Sequence, residues 1–267
     1  MTAPESPIAE SAPDITPEAT WARAGELIDS FKIAIADLPY EAKGVLYSEM
    51  LFLNAAVGPD FDALILESGR ARGQSTHILS LMYPAARIRS VELLRDHADA
   101  TVAEARLADR PNVQLDYGDS RALLADWIEP DAVVVIDGPK GFRAIKLALD
   151  LLRTGRPRCV FVHDTYQGDP TRRFIDHHLP ESLSSDAPEF VDQFKHLDDA
   201  CWDNEGRDGH DRWLPYQFEG RTQQSYGPTI ICIPFRPGRP YRFLACLADG
   251  HRFMDRLRGS ISKRVGG

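Results

Sequence analysis

The stretch that most constrains the fold is Ala63-Leu64-Ile65-Leu66-Glu67-Ser68-Gly69-Arg70-Ala71-Arg72-Gly73-Gln74-Ser75-Thr76. Its apolar start reads as a fully buried strand. It closes in an acid and two glycines four residues apart, and Gln74 opens a segment with helical spacing through Ile78 and Leu81. Strand, glycine turn and helix is how an open α/β sheet receives a nucleotide-like ligand at its edge. Glycine lets the backbone come close because it carries no Cβ. A dinucleotide fingerprint needs three glycines as G-x-G-x-x-G. Glu67-x-Gly69-x-x-x-Gly73 lacks one of them and sets a carboxylate before the turn, which suits a cationic ligand better than a pyrophosphate. The competing reading is a tight turn with no ligand.

From Asp62 onward strand and helix patterns alternate, which predicts a parallel sheet with right-handed crossovers. Strands are expected at 62–67, 87–92, 112–116, 131–137 and 157–164, with helices at 74–83, 94–108, 119–127 and 140–153. After residue 164 a helix is expected near 170–179 and strand-like runs near 194–201 and 228–235, separated by a long loop, 202–226. The fold class is therefore α/β, a Rossmann-like doubly wound, mostly parallel sheet with an antiparallel C-terminal strand, preceded by two N-terminal helices. Thr16-Pro17-Glu18 starts the first of these. Trp21, Ala24, Ile28, Phe31, Ile35 and Leu38 mark its apolar face, and Pro39 stops it. The second carries Leu46, Met50, Leu53 and Val57 and ends at Gly58-Pro59. The expected organisation is a disordered tail over 1–16, rich in Pro, Ser, Ala and Glu, a helical cap over 17–58, a ligand-binding domain over 59–240 and an extension over 241–267. The two N-terminal helices cover the sheet's edge or its site, or form a contact between copies in a homo-oligomer.

With 267 residues and a net charge of −9, the chain has no basic footprint for nucleic acid or anionic lipid. No apolar run spans a bilayer, and no signal peptide opens it. Cys159, Cys201, Cys232 and Cys246 have no C-x-x-C spacing, which points to reduced thiols in a cytoplasmic protein and against zinc. His177-His178 and the set Asp208, His210, Asp211 have no ligand spacing and are read as solvated.

Ligands of an open α/β sheet lie beyond the carboxyl ends of its strands. The five expected strands end in Glu67, Glu92, Gly118-Asp119-Ser120, Asp137-Gly138-Pro139-Lys140 and His163-Asp164-Thr165. Acids converging on one cleft suit a ligand with hydroxyls and positive charge. The stretch 60–165 resembles the class I S-adenosylmethionine-dependent methyltransferases, whose motif I is E-x-G-x-x-x-G. The resemblance implies that Glu67, Ser68, Gly69, Gly73, Gln74, Ser75 and Thr76 surround the methionine portion of S-adenosylmethionine. It also implies that Glu92, twenty-five residues after Glu67, holds the ribose hydroxyls, and that Gly118, Asp119 and Ser120 meet the adenine. A carboxylate suits the ribose because it accepts two hydrogen bonds. Asp119 also reads as an N-cap.

Asp137-Gly-Pro-Lys140 is similar to the D-x-x-K step of catechol-type O-methyltransferases and to the D-G-x-H step of a related group. The resemblance implies that Asp137 lies near the sulfonium or a metal and that Lys140 serves as general base. His163 is a rival base, and Lys140 has the alternative of pairing with Asp137. Asp137 and Asp164 form a candidate Mg²⁺ pair, but Thr165 stands where the metal-dependent members carry a further ligand. Arg70 is read as a surface residue or a partner of nearby acids. Arg72, Arg172 and Arg173 are candidates to hold an anionic group on the acceptor. Trp213, Tyr216 and Tyr226 would make the 202–226 loop a lid. The expected function is methyl transfer to an oxygen of a small molecule. The alternatives are a nicotinamide oxidoreductase on the same scaffold and a non-catalytic adenosyl-ligand-binding or assembly protein.

Overall fold

A computed structural model of the chain describes residues 13–39, 41, 44–204, 213–218 and 221–265, with the backbone alone for 202–204, 213–218, 221–225 and 254–265. Two helices come first, α1 (Pro17–Ile35) and α2 (Tyr47–Val57). The alternating region follows as β1 (Leu64–Ser68), α3 (Gln74–Met82), β2 (Arg87–Glu92), α4 (Ala98–Leu107), β3 (Val113–Tyr117), α5 (Ser120–Trp127), β4 (Val133–Ile136), α6 (Phe142–Leu152) and β5 (Cys159–Val162). The C-terminal part holds α7 (Pro170–His178), β6 (Leu183–Ser184), α8 (Pro188–Phe194), a 3₁₀ turn (Lys195–Asp198), α9 (Asp199–Asn204), β7 (Trp213–Phe218), β8 (Arg221–Tyr226), β9 (Ile231–Pro234) and α10 (Tyr241–Val265).

The main sheet runs β3-β2-β1-β4-β5-β9-β6. The first five strands are parallel to one another, and β9 runs antiparallel to both β5 and β6. This is the expected Rossmann-like, mostly parallel sheet with an antiparallel strand from the C-terminal part. The order reverses between β1 and β4, which opens a crevice above their carboxyl ends.

Period-2 alternation sends the apolar strand residues to two cores. Ile65, Val133, Val135 and Phe161 pack under α1, α2, α3 and α8. Leu64, Leu66, Val134, Ile136, Val160 and Val162 pack against α6, α7 and α10. Apart from Ser48, Glu49 and Asn54 the sequence of α2 is apolar, and every one of its residues is buried, so this helix lies inside the domain. Phe52 meets Phe161 edge-on at 6.2 Å and Phe190 at 5.6 Å. Residues 1–12 of the expected tail lie outside the described residues, while Ile15 is buried. Among the described residues no helix is long and apolar enough to cross a membrane.

Two expectations for the C-terminal part are corrected. Residues 194–201 are helical, not a strand. Pro188 opens α8, and Phe190, Val191, Phe194, Leu197 and Cys201 bury one side at spacings near 3.6, a period that Phe194–Cys201 alone does not reveal. The expected 202–226 loop contains a hairpin, with Trp213 opposite Tyr226 and Phe218 opposite Arg221. Asp208, His210 and Asp211 lie outside the described residues, as do the side chains of Trp213 and Tyr216. Tyr226 is buried.

Candidate functional site

The turn after β1 is built by close backbone approach. Gly69 has φ +81°, and a Cβ there would fall 2.5 Å from the Gly138 amide nitrogen. Only glycine meets both demands. Asp137 N–H donates to Ser68 O at 2.9 Å, and the Ser68 hydroxyl donates to Gly138 O at 2.5 Å. The Ser120 hydroxyl reaches Gly138 O at 3.2 Å. The loops after β1, β3 and β4 are thus stitched into one rim. Gly73 stands at the N-cap of α3 in the left-handed region and leaves the helix without a side-chain cap. The first N–H groups of such a helix suit an anion.

Glu67 is 1% exposed and spent on the frame. It accepts from the hydroxyls of Ser75 at 2.5 Å, Ser90 at 2.6 Å and Thr76. Burial raises its carboxyl above the ordinary range, and the three hydroxyl bonds oppose that rise. Arg70 is buried rather than on the surface. It donates to Ser90 O at 2.6 Å and Asp116 O at 2.9 Å, with its guanidinium 4.6 Å above the Tyr117 ring. Its two backbone acceptors on β2 and β3 hold it inside the sheet's rim. Glu92 accepts from Ala71 N–H at 3.0 Å and Leu93 N–H at 2.7 Å, holding the far side of the turn. Asp119 caps α5 through Arg121 N–H at 3.0 Å. The Arg121 side chain holds its carboxyl below the usual range.

A cavity of about 330 Å³ opens beside this rim. Gly69, Arg70, Ala71, Arg72, Gln74 and Ser75 form its floor, Glu41, Gly44 and Val45 its roof, and Asp137 and His163 its inner end. Gln74 Oε1 is buried there without a hydrogen-bond partner among the described residues. Glu41 fastens the roof by ion pairs to Arg72, at 3.0 Å, and to Arg106. A larger cavity of about 750 Å³ lies at the other pole, around Arg156, Arg158 and Arg236. Arg158 is spent there on Asp131 and Arg156 on Ile128 O, so the smaller cavity, with its titratable groups, is the candidate site.

Its inner end is a chain of charges. His163 Nδ1 stands 2.7 Å from Asp137 and 3.5 Å from Asp164, and Nε2 stands 3.3 Å from Glu49. The Lys140 ammonium bridges Asp137 and Asp164, the latter at 2.6 Å. Burial opposes the positive charge of His163, but Glu49 and Asp137 outweigh it and raise the imidazole well above its ordinary value. Burial likewise opposes the charge of Lys140, and Asp137 and Asp164 raise the amine. Asp137 is itself brought down to about 2, because the bonds and charges of His163 and Lys140 overcome the cost of burial. At neutral pH Lys140 and His163 are therefore both protonated in this arrangement. Asp164 has φ +58°, a strained conformation of the kind that collects at functional sites.

No protein-family model matches the chain, and no curated protein matches it. Solved structures do resemble it. A SAM-dependent O-methyltransferase from Thermotoga maritima aligns with TM-score 0.48 at 11% identity, over 77% of this chain and 71% of that one. The C-terminal domain of precorrin-6Y C5,15-methyltransferase from Rhodobacter capsulatus aligns with TM-score 0.46 at 14% identity, over 74% and 93%. An O-methyltransferase of tomaymycin synthesis from Streptomyces achromogenes, in complex with SAM, aligns with TM-score 0.40 at 18% identity, over 83% and 92%. These are likenesses of overall shape and assign no residue a role.

The structure brings Gly69, Gln74, Ser75, Asp137 and His163 to one cavity, with Lys140 and Asp164 bonded to its inner end. Glu67 and Thr76 are buried, and Asp119, the N-cap of α5, lines a separate cavity with Arg121 and Arg143. Sequence reasoning missed Glu49 and Glu41. Glu49 had a signal: it is the one charged residue in the apolar run Tyr47–Val57, and a buried charge demands a partner. Glu41 had none, since it lies in an irregular connection.

Proposed function

We propose that the chain is an S-adenosylmethionine-dependent methyltransferase acting on an oxygen of a small-molecule acceptor. The observation that carries this reading is the charge balance at the inner end of the cavity. Three carboxylates, Glu49, Asp137 and Asp164, face two cations, Lys140 and His163. The formal sum is one negative charge, next to a cavity reached through a glycine turn. A sulfonium supplies the missing positive charge. The uncapped start of α3 fits the methionine carboxylate, Glu92 the ribose hydroxyls, and the loop after β3, whose Ser120 is on the rim, the adenine.

The bound donor would supply an activated methyl group; the chain's own task is alignment and proton removal. Lys140 suits the second task better than His163. His163 is enclosed between Glu49 and Asp137, whereas half of the Lys140 side chain is exposed beside the site. A sulfonium at Asp137 adds a positive charge that weakens the hold of Lys140 on its proton, so donor binding prepares the amine to accept the acceptor's proton. We place the reaction in the cytoplasm, in keeping with four free cysteines.

Calorimetry with S-adenosylmethionine, S-adenosylhomocysteine and NAD tests the reading. Both adenosyl ligands should bind and NAD should not. Asp137→Asn should weaken S-adenosylmethionine more than the neutral S-adenosylhomocysteine. Tight NAD binding without adenosyl binding would refute the proposal.

A further inference from the structure

Asp137, His163 and Asp164 each offer a ligand atom, and those atoms lie within 4.8 Å of one another. On donor chemistry alone the set suits a divalent cation. Its neighbours do not. The Lys140 ammonium already lies between the two carboxylates, 2.6 Å from Asp164 and hydrogen-bonded to Asp137. Both ring nitrogens of His163 are engaged, Nδ1 with Asp137 at 2.7 Å and Nε2 with Glu49 at 3.3 Å. Thr165, the next residue, turns away, its hydroxyl donating to Thr229 O at 3.1 Å and its N–H to the same oxygen at 3.2 Å. The residues present therefore do not fit a resident metal.

We propose that this centre supplies its own cation: the Lys140 ammonium takes the place of a divalent ion between Asp137 and Asp164 and closes the site to metals. As to catalysis, this rests on the methyltransferase reading above. Lys140 then has a positioning role in the resting enzyme. It holds two acidic strand ends together until a bound donor's charge loosens its proton. A two-carboxylate site with an ammonium inside it repels a second cation, whereas the same site without the ammonium attracts one.

Manganese titration followed by the electron paramagnetic resonance of free Mn²⁺ tests this on the full chain. Wild-type protein should leave the signal unchanged up to millimolar Mn²⁺. Lys140→Ala and Lys140→Met should each take up one Mn²⁺ per chain at least tenfold more tightly than wild type. Adding Asp164→Asn should abolish that uptake, and Lys140→Arg should stay closed. Wild-type protein that binds one Mn²⁺ at micromolar concentration, with loss in Asp164→Asn, would overturn the proposal. So would folded Lys140→Ala and Lys140→Met, checked by circular dichroism, that bind no better than wild type. Calorimetry with S-adenosylmethionine on the same wild-type sample separates the two readings. Absent donor binding sinks the methyltransferase assignment, while the Mn²⁺ result still decides who occupies the acid pair.

Discussion

Asp198 sits at the start of α2, fully buried, where its carboxylate accepts from Ser48 N–H at 2.9 Å and from the Tyr226 hydroxyl at 3.0 Å. It caps the helix that brings Glu49 to His163. Burial pushes its carboxyl up from 3.8 to about 7; the bonds from Ser48 and Tyr226 pull the other way, and the charge of Glu49 adds to the rise. Between pH 4 and pH 7 the folded chain holds a proton here that the unfolded chain has lost. Stability from this group is therefore full below pH 4 and falls as pH rises, by about 1.4 kcal/mol per unit and about 4 kcal/mol in all. Asp198→Asn removes the titration and keeps the geometry. Its carbonyl accepts from Ser48, and its amide donates to a Tyr226 oxygen whose own proton turns to Lys195 O, 3.3 Å away. Urea unfolding at pH 5, 6, 7 and 8 measures the difference between the two proteins. The variant should gain on wild type by about 2.6 kcal/mol from pH 5 to pH 8. Because other titrating groups are shared, a difference constant across that range would refute the argument.

Gly69→Ala should cost about 2–4 kcal/mol, since it adds a contact at 2.5 Å to an unfavourable φ; thermal melting reads this, with weakened S-adenosylmethionine binding alongside. Glu67→Gln puts an amide donor among three hydroxyl donors and should cost about 1–3 kcal/mol in urea, with faster hydrogen exchange in the first turn of α3. Asp137→Asn should cost up to about 2 kcal/mol at pH 7, because a carboxyl brought down to about 2 contributes stability above pH 4 that is lost as pH falls through 2; urea midpoints that match at pH 7 would contradict this.

The parallel region was legible because β1, β4 and β5 are short apolar runs that end in an acid or glycine, and buried parallel strands have little else to show. The ends of β4 and β5 identified Asp137, Lys140, His163 and Asp164 for the same reason. The roles of Glu67 and Arg70 were not legible. An acid before a glycine turn reads alike whether it faces a ligand or three hydroxyls, and here Ser75, Thr76 and Ser90 claim it. Arg70 looked like surface because its acceptors are backbone carbonyls of β2 and β3, which leave no mark in side-chain sequence. Glu49 and Asp198 come from distant segments, and their meeting at α2 follows from tertiary packing.

The cavity's roof is held by charge. Glu41 joins the segment that bears Gly44 and Val45 to Arg72 on the floor and to Arg106 on α4. Opening it breaks ion pairs whose shared acid is buried, Glu41 being 7% exposed against 16% for Arg106, so salt screens them little, while the apolar cores on either side of the sheet stay shut. Exchange at this site is thus set by the parting of Glu41 from its two arginines, whereas the scaffold beneath it is set to hold its shape.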